Sequence, residues 1–131
     1  MSDKYETDVW IRTLFPYSHW FDPCPINWTE NTDKCGLSLD WRCRVFPNNR
    51  AQHYLGVFVN PPYSNILSWV KKAISENERG VVVVMLLKHD SSTEWYRLLH
   101  EAGARFLMIN KRLKHRTGQS AAFPSVLAVL E

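Results

Sequence analysis

No hydrophobic run in this chain exceeds seven residues, the length of the stretch 81–87. A membrane-spanning helix needs about 20 apolar residues, so no contact with a bilayer is expected. The amino-terminal residues Met1-Ser2-Asp3-Lys4-Tyr5-Glu6 lack the charged and apolar regions of a signal peptide. Cysteine is scarce as well. Cys24, Cys35 and Cys43 form no CxxC pair and are odd in number, which argues against a secreted disulfide scaffold and for a cytoplasmic protein. A single Cys35–Cys43 disulfide stays open only for a hyperthermophilic source. Combined with His19 or His53, the cysteines have spacings unlike those of zinc knuckles, so no metal is expected. Repeats and low-complexity segments are absent.

Aromatic residues, by contrast, are plentiful: six Trp, five Tyr and six Phe in 131 residues, enough to fill a core or in part to stack bases. The length fits one domain, 1–131. A net charge of +3 is a weak signal, but its distribution is not even. Lys111, Arg112, Lys114, His115 and Arg116 crowd into six residues, a density suited to holding phosphates, so DNA is the expected partner.

The halves differ in pattern. Residues 1–54 are irregular, with apolar clusters only near 11–15 and at Trp20-Phe21. From residue 55 the pattern is β-α-β-α-β-β. Residues 55–59 read as a buried strand stopped by Asn60-Pro61-Pro62. Ser64 is placed to cap a helix with Ile66, Leu67, Val70, Ala73 and Ile74 on one stripe. The continuously apolar, β-branched 81–87 predicts a central strand of a parallel sheet. Ser91-Ser92-Thr93-Glu94 offers a capping box for a second helix with Trp95, Leu98, Leu99 and Ala102 inward, closed by Gly103. Strands at 105–109 and, after Pro124, 126–130 complete the set. The fold class is therefore α/β: a reduced Rossmann-like, mostly parallel, doubly wound sheet with helices on both faces and ligands beyond the carboxyl ends of the strands.

Asn60-Pro61-Pro62-Tyr63 stands at such an end. An exocyclic ring amine is a poor nucleophile because its lone pair is delocalised. An Asn side-chain oxygen and a neighbouring backbone carbonyl, each accepting one N–H, hold the nitrogen with its lone pair aimed at a methyl donor. Pro61 stiffens the turn, Pro62 brings no competing N–H, and Tyr63 supplies a ring on which a flipped-out base can stack. His89 and Asp90, at the end of the 81–87 strand, face the same region with a minor role.

This segment resembles motif IV of S-adenosylmethionine-dependent methyltransferases, and more closely the small phage-encoded DNA N6-adenine methyltransferases. Phe21-Asp22-Pro23-Cys24, Gly36-Leu37 with Asp40-Trp41, the elbow with Trp69-Val70 and Lys72-Ala73, residues 83–87, Arg112-Leu113-Lys114 and Ala122-Phe123-Pro124-Ser125 resemble the family's blocks in the same order. The resemblance implies S-adenosylmethionine as cofactor and transfer to adenine N6 in DNA. It implies that Asn60, Pro61, Pro62 and Tyr63 hold and stack the target, that Asp22, Pro23 and Cys24 lie against the cofactor, and that Asp40 approaches its adenosine. Lys111, Arg112, Lys114 and Arg116 would neutralise DNA phosphates.

There are departures. Pro25-Ile26-Asn27-Trp28 stands where related enzymes carry glycines, Trp10-Ile11-Arg12-Thr13-Leu14 only partly echoes the family's Trp-x-Thr-Pro, and the thirty residues between Cys24 and Leu55 are fewer than larger enzymes use. No room is left for a separate target-recognition domain, so sequence recognition should be slight, unless a homodimer supplies it. Two alternatives stay open: methylation of another planar amine or amide (protein glutamine, cytosine N4, RNA guanine N2), and a DNA-binding or viral accessory protein that has lost the cofactor.

Overall fold

The computed structural model describes residues 7–25, 36–45, 54–109 and 124–131. Helix α1 (Val9–Leu14) and strand β1 (Trp20–Phe21) come first, followed by the short α2 (Arg42–Val45). Then come β2 (Gly56–Val59), α3 (Ile66–Glu78), β3 (Val83–Lys88), α4 (Glu94–Glu101), β4 (Arg105–Met108) and β5 (Ser125–Leu130).

The strands form one sheet in the order β1-β2-β3-β5-β4. β1, β2 and β3 pair in parallel, and β5 pairs antiparallel with both β3 and β4. Four of the five strands thus run one way and β5 runs against them. The continuously apolar 83–87 is central, as its pattern predicts, but only on its β2 side is its partner parallel.

Alternation along the strands sorts the core into two layers. Val57, Val59, Val83, Met85, Leu87, Val126, Ala128 and Leu130 join Trp69, Val70 and Ala73 of α3 and Leu99 of α4 on one face. Phe58, Val84, Leu86 and Leu127 join Ile11 of α1 on the other. Helices therefore cover both faces. Among the described residues no helix is long and apolar enough to cross a membrane.

Local details shift several expectations. Tyr63–Asn65 forms a 3-10 turn, closed by the Asn65 N–H donating to the Pro62 carbonyl at 3.0 Å, so α3 starts after it and Ser64 does not cap it. Pro62, at φ −64° and ψ 140°, holds the chain extended at this point. The α4 cap is Thr93, whose hydroxyl accepts from the Tyr96 N–H at 3.3 Å, because Asp90 takes Ser92 into the preceding turn. This replaces the expected capping box. Ala102 is exposed rather than inward, since α4 stops at Glu101, and Gly103 follows at φ +86°, a conformation glycine adopts without strain. β4 is an edge strand with Leu107 and Met108 exposed.

Candidate active site

Because β1, β2 and β3 are parallel, their carboxyl ends share one edge of the sheet. That edge carries Asp22-Pro23-Cys24 after β1, Asn60-Pro61-Pro62-Tyr63 after β2 and His89-Asp90 after β3. The architecture so brings two of the expected groups, the target-holding and the cofactor turns, to neighbouring strand ends.

Asn60 is 7% exposed, and its Nδ2 donates to the Thr7 hydroxyl at 3.0 Å. In this arrangement the amine faces Thr7 and Oδ1 points the other way. Pro61 and Pro62 are buried, while Tyr63 is half-buried and packs against the α3-side core. Thr7, just before α1, has no pattern of its own in sequence and is identified only by its contact.

In the first turn, Asp22 Oδ1 accepts from the Cys24 N–H at 2.9 Å, and Pro23 and Cys24 are buried. Gly36 lies against this turn so closely that a Cβ there would sit 2.0 Å from the Pro23 carbonyl oxygen. Two separate blocks of the sequence therefore meet backbone to backbone, and only glycine permits it.

Asp40 is elsewhere. Its Oδ1 accepts from the Arg42 N–H at 3.0 Å, Oδ2 accepts from Arg42 Nη2 at 2.9 Å, and Arg79, past the end of α3, lies 3.9 Å away. The 13-residue α3 spans about 20 Å, so Arg79 marks the end remote from Tyr63. Hydrogen bonds from Arg42 hold the Asp40 carboxyl down to about 2. The neighbouring Trp41 is fully buried, its N–H donating to Glu76 Oε2 at 2.7 Å and its Nε1 to the Gly36 carbonyl at 2.9 Å. Glu76, 1% exposed on the apolar stripe of α3, also meets Arg79 at 3.1 Å and Lys72 at 3.5 Å. This buried carboxylate clamps the 36–45 segment to α3. Its sequence signal was a charged residue in register with Ile66, Trp69 and Ala73.

Beyond β3, the His89 ring stacks on Tyr96, which stacks on Phe106 at 4.4 Å. An open hollow of about 610 Å³ beside it is lined by Ser91, Ser92, Thr93, Tyr96, Arg97 and His100. Asp90 is held below the usual carboxylate range by hydrogen bonds from Ser92. Lys111, Arg112, Lys114 and Arg116 lie outside the described residues, as do Ile26-Asn27-Trp28, Cys35 and His53. Among the described residues no cluster of His, Cys, Asp or Glu could hold a metal.

α1 contributes one further group that sequence patterns did not single out. The Arg12 guanidinium carbon lies 3.5 Å from the centre of the Tyr17 ring and 5.0 Å from that of Phe58. Burial pushes its pKa below the ordinary value, with the charges of Tyr17 and Asp22 acting the other way.

Comparison with known proteins places this geometry in a family. The DNA N-6-adenine-methyltransferase of Haemophilus phage HP1 (strain HP1c1) is 27% identical over 145 residues, covering 98% of this chain and 81% of the phage protein. The DNA N-6-adenine-methyltransferase of Escherichia phage T1 is 39% identical over 57 residues, 44% of this chain and 24% of its own length. No solved structure matches. The family described as DNA N-6-adenine-methyltransferase (Dam) matches residues 25–122, a span that contains the proline-braced end of β2, the helix it feeds and the basic segment, and the chain belongs to that family.

Proposed function

We propose that this protein transfers a methyl group from S-adenosylmethionine to the N6 amine of adenine in DNA, at the carboxyl edge of a reduced Rossmann-like sheet. The observation that carries the reading is the setting of Asn60: a buried carboxamide at a strand end, its amine tied to Thr7, followed by two buried prolines and a half-exposed Tyr63.

Asn60 Oδ1 and a neighbouring backbone carbonyl accept the two N–H groups of the target and leave its lone pair directed outward. Tyr63 stacks the extruded base. No strong general base is called for, since the acceptors polarise the nitrogen. When bound, the donor supplies an electrophilic methyl on a sulfonium. The residues beside Asn60 suit such a zwitterionic group in charge, because Asp22 provides a carboxylate and Arg12 a cation whose nitrogens are buried without hydrogen-bond partners. Asp40, engaged with Arg42 and Arg79 at the far end of α3, takes no part in the proposal. Lys111, Arg112, Lys114 and Arg116 bind DNA phosphates without reading sequence.

The test is labelled methyl transfer to unmethylated duplex and single-stranded DNA, followed by nucleoside analysis. N6-methyl-2′-deoxyadenosine is expected; label in N4-methyl-2′-deoxycytidine, or in protein glutamine alone, overturns the assignment. Asn60→Ala should lower turnover by orders of magnitude with cofactor affinity little changed. A near-normal rate in that variant defeats the role given to Asn60.

A further inference from the structure

A buried cation ordinarily finds acceptors, since its donors lose water and nothing else replaces it. Arg12 does not: Nε, Nη1 and Nη2 are all buried, and none has a hydrogen-bond partner among the described residues. Contact with the Tyr17 and Phe58 rings satisfies the face of the guanidinium but not its five in-plane N–H donors. Asp22 is near enough for its charge to act on Arg12. Its Oδ1, however, accepts from the Cys24 N–H.

The turn after β1 shows what is missing on the other side. Successive backbone N–H groups in a turn, or in a glycine-rich loop leading into a helix, are a common cradle for an anion. Here Pro23 and Pro25 have none, and that of Cys24 is taken by Asp22. Among Pro23, Cys24 and Pro25 no backbone N–H is thus left to meet a carboxylate, and the fork of an arginine matches its two oxygens. Tyr17 lies over the guanidinium and is 62% exposed, so its ring can swing aside without disturbing the core.

We propose that Arg12 binds the carboxylate at the amino-acid end of S-adenosylmethionine, with Asp22 facing the ammonium, so that a helix side chain does what this turn's backbone cannot. The inference rests on the methyltransferase reading and names a residue of its cofactor site.

Calorimetry tests it with two ligands: S-adenosylhomocysteine, which has the amino-acid end, and methylthioadenosine, which lacks it. The wild type should prefer the first. Arg12→Met should weaken S-adenosylhomocysteine about 10- to 100-fold, the scale of a charge-assisted hydrogen bond, and leave methylthioadenosine within about twofold. Arg12→Lys, which keeps the charge but not the fork, should fall between. The melting temperature of ligand-free Arg12→Met should be unchanged or higher, because an unpaired buried charge has been removed; a structural arginine would lower it. Undiminished S-adenosylhomocysteine binding by Arg12→Met overturns the inference and leaves the functional reading standing. So does an equal loss for both ligands, or a defect confined to DNA affinity, which would assign the cation to a phosphate. Failure of the wild type to bind S-adenosylhomocysteine overturns the functional reading and this inference with it.

Discussion

In the role proposed for Asn60 its carboxamide must face one way, and the Thr7 hydroxyl is one of the groups it is bonded to. Thr7→Val keeps the shape and removes the hydroxyl, so the carboxamide loses this hydrogen bond. Turnover should drop roughly tenfold, the worth of one hydrogen bond, with KM for DNA and the folding stability little altered. Steady-state kinetics checks this split; a change in KM alone would show that Thr7 contacts substrate instead. Asp40, through its bonds to Arg42 and Arg79, contributes to folding stability. Its carboxyl is held down to about 2 against an unfolded value near 4, so its contribution is complete above about pH 4 and is lost as pH falls through about 2. Acid unfolding of Arg42→Ala should therefore run below the wild type at neutral pH and converge with it between about pH 4 and 2.

Among the elements, α3 does two jobs: its start fixes the Pro62–Asn65 turn and its end anchors the 36–45 segment through Glu76. Glu76→Ala leaves the buried Trp41 N–H without an acceptor and should cost about 1–3 kcal/mol, measured by urea unfolding. The strands β2 and β3 and the helix α3 were legible because each repeats one period without interruption: Val57, Phe58 and Val59, then 83–87, then Ile66, Val70 and Ala73. Helix starts were less so. Ser64 and the 91–94 segment both look like caps, and which hydroxyl serves depends on Pro62 and Asp90 upstream, whose turn geometry is a tertiary outcome. In the first half, Trp20-Phe21 showed as a short apolar cluster and proved to be β1. Thr7, Arg12 and Glu76 escaped or were passed over because their meaning lies in contacts made across 35 to 53 residues of chain, or in partners that are lacking.

For the molecule as a whole, the parallel strands β1, β2 and β3 share one edge, and the position of Asn60 at the end of a buried strand was legible in sequence. The mixed direction of the sheet was not, because strand 125–130 reads the same whichever way it inserts. On the DNA side, replacing Arg112, Lys114 and Arg116 together with alanine should weaken binding alike for all sequences. It should also reduce the slope of log affinity against log salt by about 2 to 3, at about 0.9 per phosphate contact. Salt-dependent binding assays decide it, and an unchanged slope would remove the basic segment from the interface.

The place of β5 between β3 and β4 has a consequence for biosynthesis. β4 is made first, but among the described residues its only strand neighbour is β5. A chain of which only residues up to 109 have emerged would expose the open flank of β3 and leave β4 without a strand partner, so the five-stranded sheet can close only once residues 125–130 have followed. Until then the flank of β3 stays open to other strands or to chaperones.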